Sequence, residues 1–117
     1  MAESVNKIIK TALAPFALPV AESLYQGKEA EYFTFNYADD HPQDFGDDDV
    51  LAYVAYLQIH YVCPWNKPYT DMKRRIRRAL IGAGFTAPEV TDASDSAGRI
   101  RHLVFECSIE NSYDLEE

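Results

Sequence analysis

The fold of this chain is decided by residues 50–63, which are VLAYVAYLQIHYVC. Every odd-numbered position from Leu51 to Cys63 is apolar, whereas the even-numbered positions mix apolar side chains with Gln58 and His60. Because successive side chains of a strand point to opposite faces, this alternation predicts a long β-strand with one buried face. The other face is half apolar and half polar, which suits a surface that a partner could cover.

The same alternation predicts further strands on both sides of this stretch. The predicted strands are residues 31–37 before it, and residues 88–91 and 100–110 after it. Between residues 31–37 and the long strand lies an acidic stretch, residues 38–49, which is expected to be an exposed loop. Residues 16–20 are expected to form an extended connector.

Two amphipathic stretches predict helices. The first covers residues 5–14, with Ser4 as its N-cap and Pro15 as its end. The second runs from a cap at Thr70 or Asp71 to about Ala83. Gly84 after that helix fits a left-handed C-terminal cap.

The predicted order is therefore α-β-β-α-β-β in a single domain over residues 1–117. This order favours an α+β fold, in which two helices pack on one face of a four-stranded, mostly antiparallel sheet.

Charge and cysteine content limit the function classes. The 117 residues carry 19 acidic side chains against 11 lysines and arginines, a formal net charge of −8. That balance repels nucleic acid and anionic membranes at long range. No apolar run approaches the ~20 residues that span a bilayer. Two cysteines without a secretory signal predict free thiols in a reducing, cytosolic setting.

The residue types of a Cys2His2 zinc site are present as His60, Cys63, His102 and Cys107. Strand periodicity places His60 and Cys63 on opposite faces of their strand, and it separates His102 from Cys107 in the same way. Four ligands cannot reach one tetrahedral ion from two sides of a sheet. We therefore expect buried thiols, surface histidines and no metal or other cofactor.

Three consecutive acids, Asp47, Asp48 and Asp49, suggest a divalent ion at first sight. They lack the spaced ligands and the distant glutamate of an EF-hand loop, so a solvated acidic loop is the simpler interpretation.

A basic cluster is the most distinctive feature of the second helix. Five cations occupy six consecutive positions: Lys73, Arg74, Arg75, Arg77 and Arg78. They are expected to cover the outer face of the helix. One interpretation is a solvated surface, in which the late arginines favour the helix dipole. The others are contact with nucleic acid and pairing with the acidic residues 47–49 of a neighbouring subunit.

Catalytic signatures are missing from the sequence. It has neither a Gly-x-Ser-x-Gly elbow nor a glycine-rich phosphate loop, and its five glycines are isolated. A small enzyme would need a deep pocket that gathers His41, His60 or His102 with carboxylates. The sequence favours a protein that is not an enzyme.

With these pieces placed, the chain resembles the tail-terminator, or tail-completion, proteins of tailed bacteriophages. The resemblance covers nearly the whole chain in short motifs. They are residues 18–20 (LPV), 24–27 (LYQG), 31–37 (EYFTFNY), 56–61 (YLQIHY), the helix 72–80 with Gly84-Phe85, and 101–106 (RHLVFE). It implies a sheet with two helices and a homo-oligomeric ring, commonly a hexamer.

The resemblance also implies a structural role, in which the ring stops growth of the tail tube and joins tail to head. The expected partners are further copies of the chain, tail-tube proteins and head-closure proteins, with no membrane. The expected location is the virion tail, after assembly in the host cytoplasm. The alternative function is a small nucleic-acid-binding regulator that uses the basic helix, residues 73–78.

Overall fold

A computed structural model describes residues 4–42 and 52–112 of the chain. It contains two α-helices, one short 3-10 helix and five strands. In chain order they are α1 (Val5–Leu13), the 3-10 helix (Ala14–Phe16), β1 (Val20–Glu22), β2 (Tyr32–Pro42), β3 (Ala52–Pro64), α2 (Thr70–Gly82), β4 (Glu89–Asp92) and β5 (Ile100–Ser112).

The five strands form one mixed sheet in the order β1-β2-β3-β5-β4. The predicted α+β class is correct, but the predicted four-stranded sheet is wrong by one strand. Residues 20–22, which begin at the last residue of the expected connector, pair parallel to β2, with Val20 opposite Phe33. The other three pairings are antiparallel. Three residues are too few to show a period of two in the sequence. This strand is identified only by its pairing with β2.

Strand β2 is longer than predicted and continues to Pro42. Residues 38–42 therefore belong to the sheet and not to a loop, because β3 supplies partners for them: Asp39 lies opposite Tyr56, and Asp40 opposite Ala55. A shift in register between Tyr37 and Asp39 marks a β-bulge. The rest of the predicted acidic loop, including Asp47, Asp48 and Asp49, lies outside the described residues.

The helix ends largely follow their sequence signals. Ser4 accepts a hydrogen bond from the backbone N–H of Lys7, at 3.2 Å between Oγ and N, which confirms it as the N-cap of α1. The predicted cap of α2 is wrong, because Tyr69 occupies the N-cap position and Thr70 is already helical. Gly84 has φ +109° after α2, and this left-handed conformation confirms the predicted C-terminal cap.

Both helices pack on one face of the sheet, which we call the covered face. On β3 it presents the odd-numbered residues of the sequence pattern, from Ala55 to Cys63, all of them buried. Phenylalanines of β2 and β5 lie beside them. The helical side chains packed against this face are Val5, Ile9, Leu13, Ile76 and Leu80. The opposite face, which presents the even-numbered residues of β3, carries neither helix, and we call it the open face.

Neither of these two helices is both long and apolar enough to cross a bilayer.

Candidate interaction surfaces

The basic cluster lies on the side of α2 that faces away from the sheet. Ile76 and Leu80 are buried against the core, so Arg77 and Arg78, which lie between them in the sequence, point away from it. The four arginines are exposed, whereas Lys73 is half-buried. The predicted placement on the outer face of the helix is therefore confirmed for the arginines.

The five cations differ in what surrounds them. The guanidinium of Arg75 lies 4.9 Å from the centre of the Phe16 ring. Arg74 makes a long, exposed ion pair of 3.8 Å with Asp71. Lys73 is half-buried, whereas Arg77 and Arg78 are exposed beside Ile81, an apolar side chain with 49% of its surface exposed. We call Arg77, Arg78 and Ile81 the cationic patch.

The open face carries a row of polar side chains that crosses four strands. Strand pairing sets four residues opposite one another in sequence across the sheet: Asn36 on β2, Gln58 on β3, Glu106 on β5 and Glu89 on β4. The Gln58 amide nitrogen donates to a carboxylate oxygen of Glu106 at 2.9 Å. The amide nitrogen of Asn36 donates to the amide oxygen of Gln58 at 3.0 Å.

Asn36 of this row also contacts a pair of histidines, and this contact determines their tautomers. The Asn36 side-chain oxygen lies 2.7 Å from His60 Nε2, so Nε2 must carry the proton that is donated. In the neutral ring, His60 Nδ1 is then an acceptor, and it lies 2.8 Å from Nε2 of His102. The donor there is therefore His102 Nε2. Nδ1 of His102 is left as the acceptor at the end of this series of hydrogen bonds.

Both histidines are harder to protonate than an exposed histidine. Burial, followed by the charge of His102, lowers the pKa of His60 below its ordinary value of 6.5. Burial also lowers the pKa of His102, although the nearby Asp92 carboxylate opposes part of that effect. The two histidines lie on the open face, but they are half-buried and hydrogen-bonded to each other and not fully exposed as surface histidines would be.

The acidic end of the polar row borders a groove on the open face. Its volume is about 580 Å³. Glu89 and Glu106 contribute the charge, and Ala38, Ala87 and the 42% exposed ring of Tyr56 contribute apolar surface. Among the residues whose side chains the structure describes, its lining includes no histidine. We call Glu89, Glu106 and Tyr56 the acidic groove.

Glu89 and Glu106 are directly opposite each other across β4 and β5. Like charges in this position destabilise a strand pair. Across residues 4–42 and 52–112, neither carboxylate has a cation within salt-bridge distance. The groove therefore concentrates negative charge that the described part of the chain does not neutralise.

The residues of the rejected zinc site are divided as the strand periodicity predicts. Cys63 and Cys107 are buried in the core on the covered face, and His60 and His102 are on the open face. Burial raises the pKa of the Cys107 thiol to about 12, so that thiol stays protonated. Within the described residues, no three histidine, cysteine or acidic side chains are grouped to hold a metal ion. The side chain of His41 lies outside the described part.

A second polar cluster lies where β3 ends and the chain turns toward α2. The Tyr61 hydroxyl donates to Glu31, whose other carboxylate oxygen accepts from Lys67 Nζ at 2.8 Å. The Arg101 guanidinium lies between two rings, 4.2 Å from that of Trp65 and 4.4 Å from that of Tyr69. These contacts join the turn after β3 to α2 and β5, which indicates a structural role.

Comparison with known proteins adds the fold alone. Models of known protein families do not match the chain, and neither do curated proteins. Solved structures do match it. One of them, whose name states no function, has a TM-score of 0.59 at 11% identity and covers 94% of each chain. At that identity the likeness supports an α+β fold with a mixed sheet and two helices, and it carries no function.

Proposed function

We propose that this chain is a structural protein of a bacteriophage or prophage, similar to tail terminators, that assembles with copies of itself into a ring. The ring would end growth of the tail tube and join the tail to the head. Further copies of the chain, tail-tube proteins and head-closure proteins are its partners in this proposal. It follows from the sequence resemblance described above.

The observation that carries the proposal is the separation of charge between the two faces of the sheet. The helices on the covered face carry Lys10 and the five cations of α2, whereas the open face carries Glu89, Glu106 and Glu110. Surfaces of opposite charge on opposite sides of one molecule attract copies in a head-to-tail orientation. Head-to-tail contacts close into rings when the rotation between neighbours allows it.

Electron microscopy of the purified protein in negative stain tests this proposal. It should show closed rings of one size with a central opening at low ionic strength. Open filaments of varying length would contradict the closed ring. A field of single small particles at every protein concentration would contradict self-assembly itself.

The exposed arginines favour one alternative function, a regulator that binds nucleic acid through α2. Arginine clusters on a helix are suited to phosphate contacts. The test is a fluorescence anisotropy titration of labelled duplex DNA and single-stranded RNA at low salt. For this alternative, binding must weaken with salt and disappear in R74E/R75E/R78E. Our ring proposal instead predicts that the wild-type chain binds neither nucleic acid.

A further inference from the structure

We infer that the cationic patch of one copy docks into the acidic groove of the next copy. This inference rests on the proposed function and specifies the contact by which the ring is built. It names Arg77, Arg78 and Ile81 on one side, and Glu89, Glu106 and Tyr56 on the other.

The two surfaces cannot meet within one molecule. Ile76 and Leu80 of α2 pack on the covered face, so Arg77 and Arg78 point further away from the sheet. Glu106 lies between Phe105 and Cys107, which are buried on the covered face, so its side chain is on the open face. The sheet separates the surfaces, and only a second copy can bring them together.

Charge provides the first match between the surfaces. The acidic groove holds two opposed carboxylates without a cation in the described structure, whereas Arg77 and Arg78 are exposed cations. An incoming guanidinium removes the repulsion between the two carboxylates. It can also donate two parallel hydrogen bonds to one of them. Gln58 holds one oxygen of Glu106, which orients that carboxylate before the partner arrives.

Apolar surface provides the second match. Large apolar side chains that are more than a third exposed are few among the described residues: Leu24, Tyr56, Ile81 and Ile100. Two of these four lie beside the matching charges, Ile81 next to the arginines and Tyr56 in the groove. Interface centres are enriched in tyrosine and arginine and are bordered by a polar rim, which matches Tyr56 packed with Ile81 beside the arginines.

Charge reversal on each side tests the contact. The variants are R77E/R78E and E89R/E106R, measured by light scattering after size exclusion, with circular dichroism as the check on folding. Each variant alone should have the mass of one chain, 13.3 kDa. An equimolar mixture of the two should regain the wild-type mass, because both interfaces in an alternating assembly then pair opposite charges. The four-substitution chain R77E/R78E/E89R/E106R should also assemble.

Two control variants change charge at positions outside both surfaces, each by two units where a charge reversal changes it by four. K10Q/R75Q removes two cations from the helical layer, and E22Q/E29Q removes two carboxylates away from the groove. Both should assemble like the wild type, because Arg75 lies over Phe16 and the other three residues lie outside both surfaces.

The outcomes separate this inference from the proposed function. Wild-type assembly that survives both charge reversals would overturn the docking contact and leave the ring intact. The same holds if the reversals abolish assembly but the mixture and the four-substitution chain fail to restore it. A wild-type chain that never assembles would overturn the proposed function together with the contact.

Discussion

The side chains on the two faces of strand β3 hold it to its neighbouring strands in different ways. On the covered face, Ile59 and Tyr61 are completely buried beneath the helices, and packing holds the strands in place. On the open face, Gln58 and His60 lie one residue away, and a chain of hydrogen bonds connects the strands instead. The covered face therefore specifies the fold, whereas the open face leaves charge and apolar surface available to a partner.

Alanine at the centre of the covered face should produce the largest effect on stability. Ile59→Ala removes a buried aliphatic side chain, and the free energy of unfolding should fall by about 2–5 kcal/mol. Urea denaturation, followed by circular dichroism at high salt to suppress association, measures the change. A loss below about 1 kcal/mol would show that this face is not packed as described.

Alanine at the neighbouring position of the open face should have a smaller effect. Gln58→Ala removes the link between Asn36 and Glu106, and each hydrogen bond contributes about 0.5–1.5 kcal/mol. Because the site is partly solvated, we expect a total loss of about 1 kcal/mol in the same urea experiment. A loss equal to that of Ile59→Ala would remove the distinction between the two faces.

A third prediction concerns the Tyr61 hydroxyl, the polar tip of a covered-face side chain. Burial first, and the hydrogen bond to Glu31 second, raise the pKa of Tyr61 well above its ordinary range. Tyr61→Phe should cost about 1–2 kcal/mol, because the hydroxyl donates to a carboxylate. Tyr56→Phe on the open face is the matched control, and its unfolding at high salt should be almost unchanged.

The smallest expected effect is a pH dependence of stability that originates on the open face. The pKa values of His60 and His102 are lowered in the folded chain, so below about pH 6.5 the unfolded chain binds more protons than the folded one. The free energy of unfolding should therefore fall as pH decreases from 7 to 5. The variant H60N/H102N should show a shallower slope over that range. An equal slope would mean that folding does not change the pKa values of the two histidines.

Nuclear magnetic resonance of the imidazole nitrogens tests the hydrogen bonds of the two histidines directly. At pH 8 the hydrogen-bond chain predicts the Nε2–H tautomer for both histidines. Detection of the Nδ1–H tautomer at His60 would contradict the direction of the chain.

The sequence predicts the covered face better than the open one. Hydrophobic alternation located the buried residues of β3, because burial of one face imposes a period of two on the side chains. It missed β1, since three residues cannot display a period. It also ended β2 too early, because Asp39 and Asp40 are poor strand formers that pair through the register of β3.

The cationic patch and the acidic groove also differ in how well the sequence predicts them. The arginines of α2 lie on either side of Ile76, which the apolar stripe of the helix places against the sheet, so their exposure could be predicted. Glu89 and Glu106 are 17 positions apart, and only the register of β4 against β5 sets them opposite each other. His60 and His102 likewise meet across two strands. Alternation shows that these side chains share a face, but it does not give the register that brings them into contact.

The most direct test of the account is the solution mass of the wild-type chain by light scattering at low and high salt. Opposite charges on the two faces predict a mass that is a whole multiple of 13.3 kDa at low salt and decreases as salt screens the contact. A mass of one chain at every salt and protein concentration would contradict self-assembly through these faces.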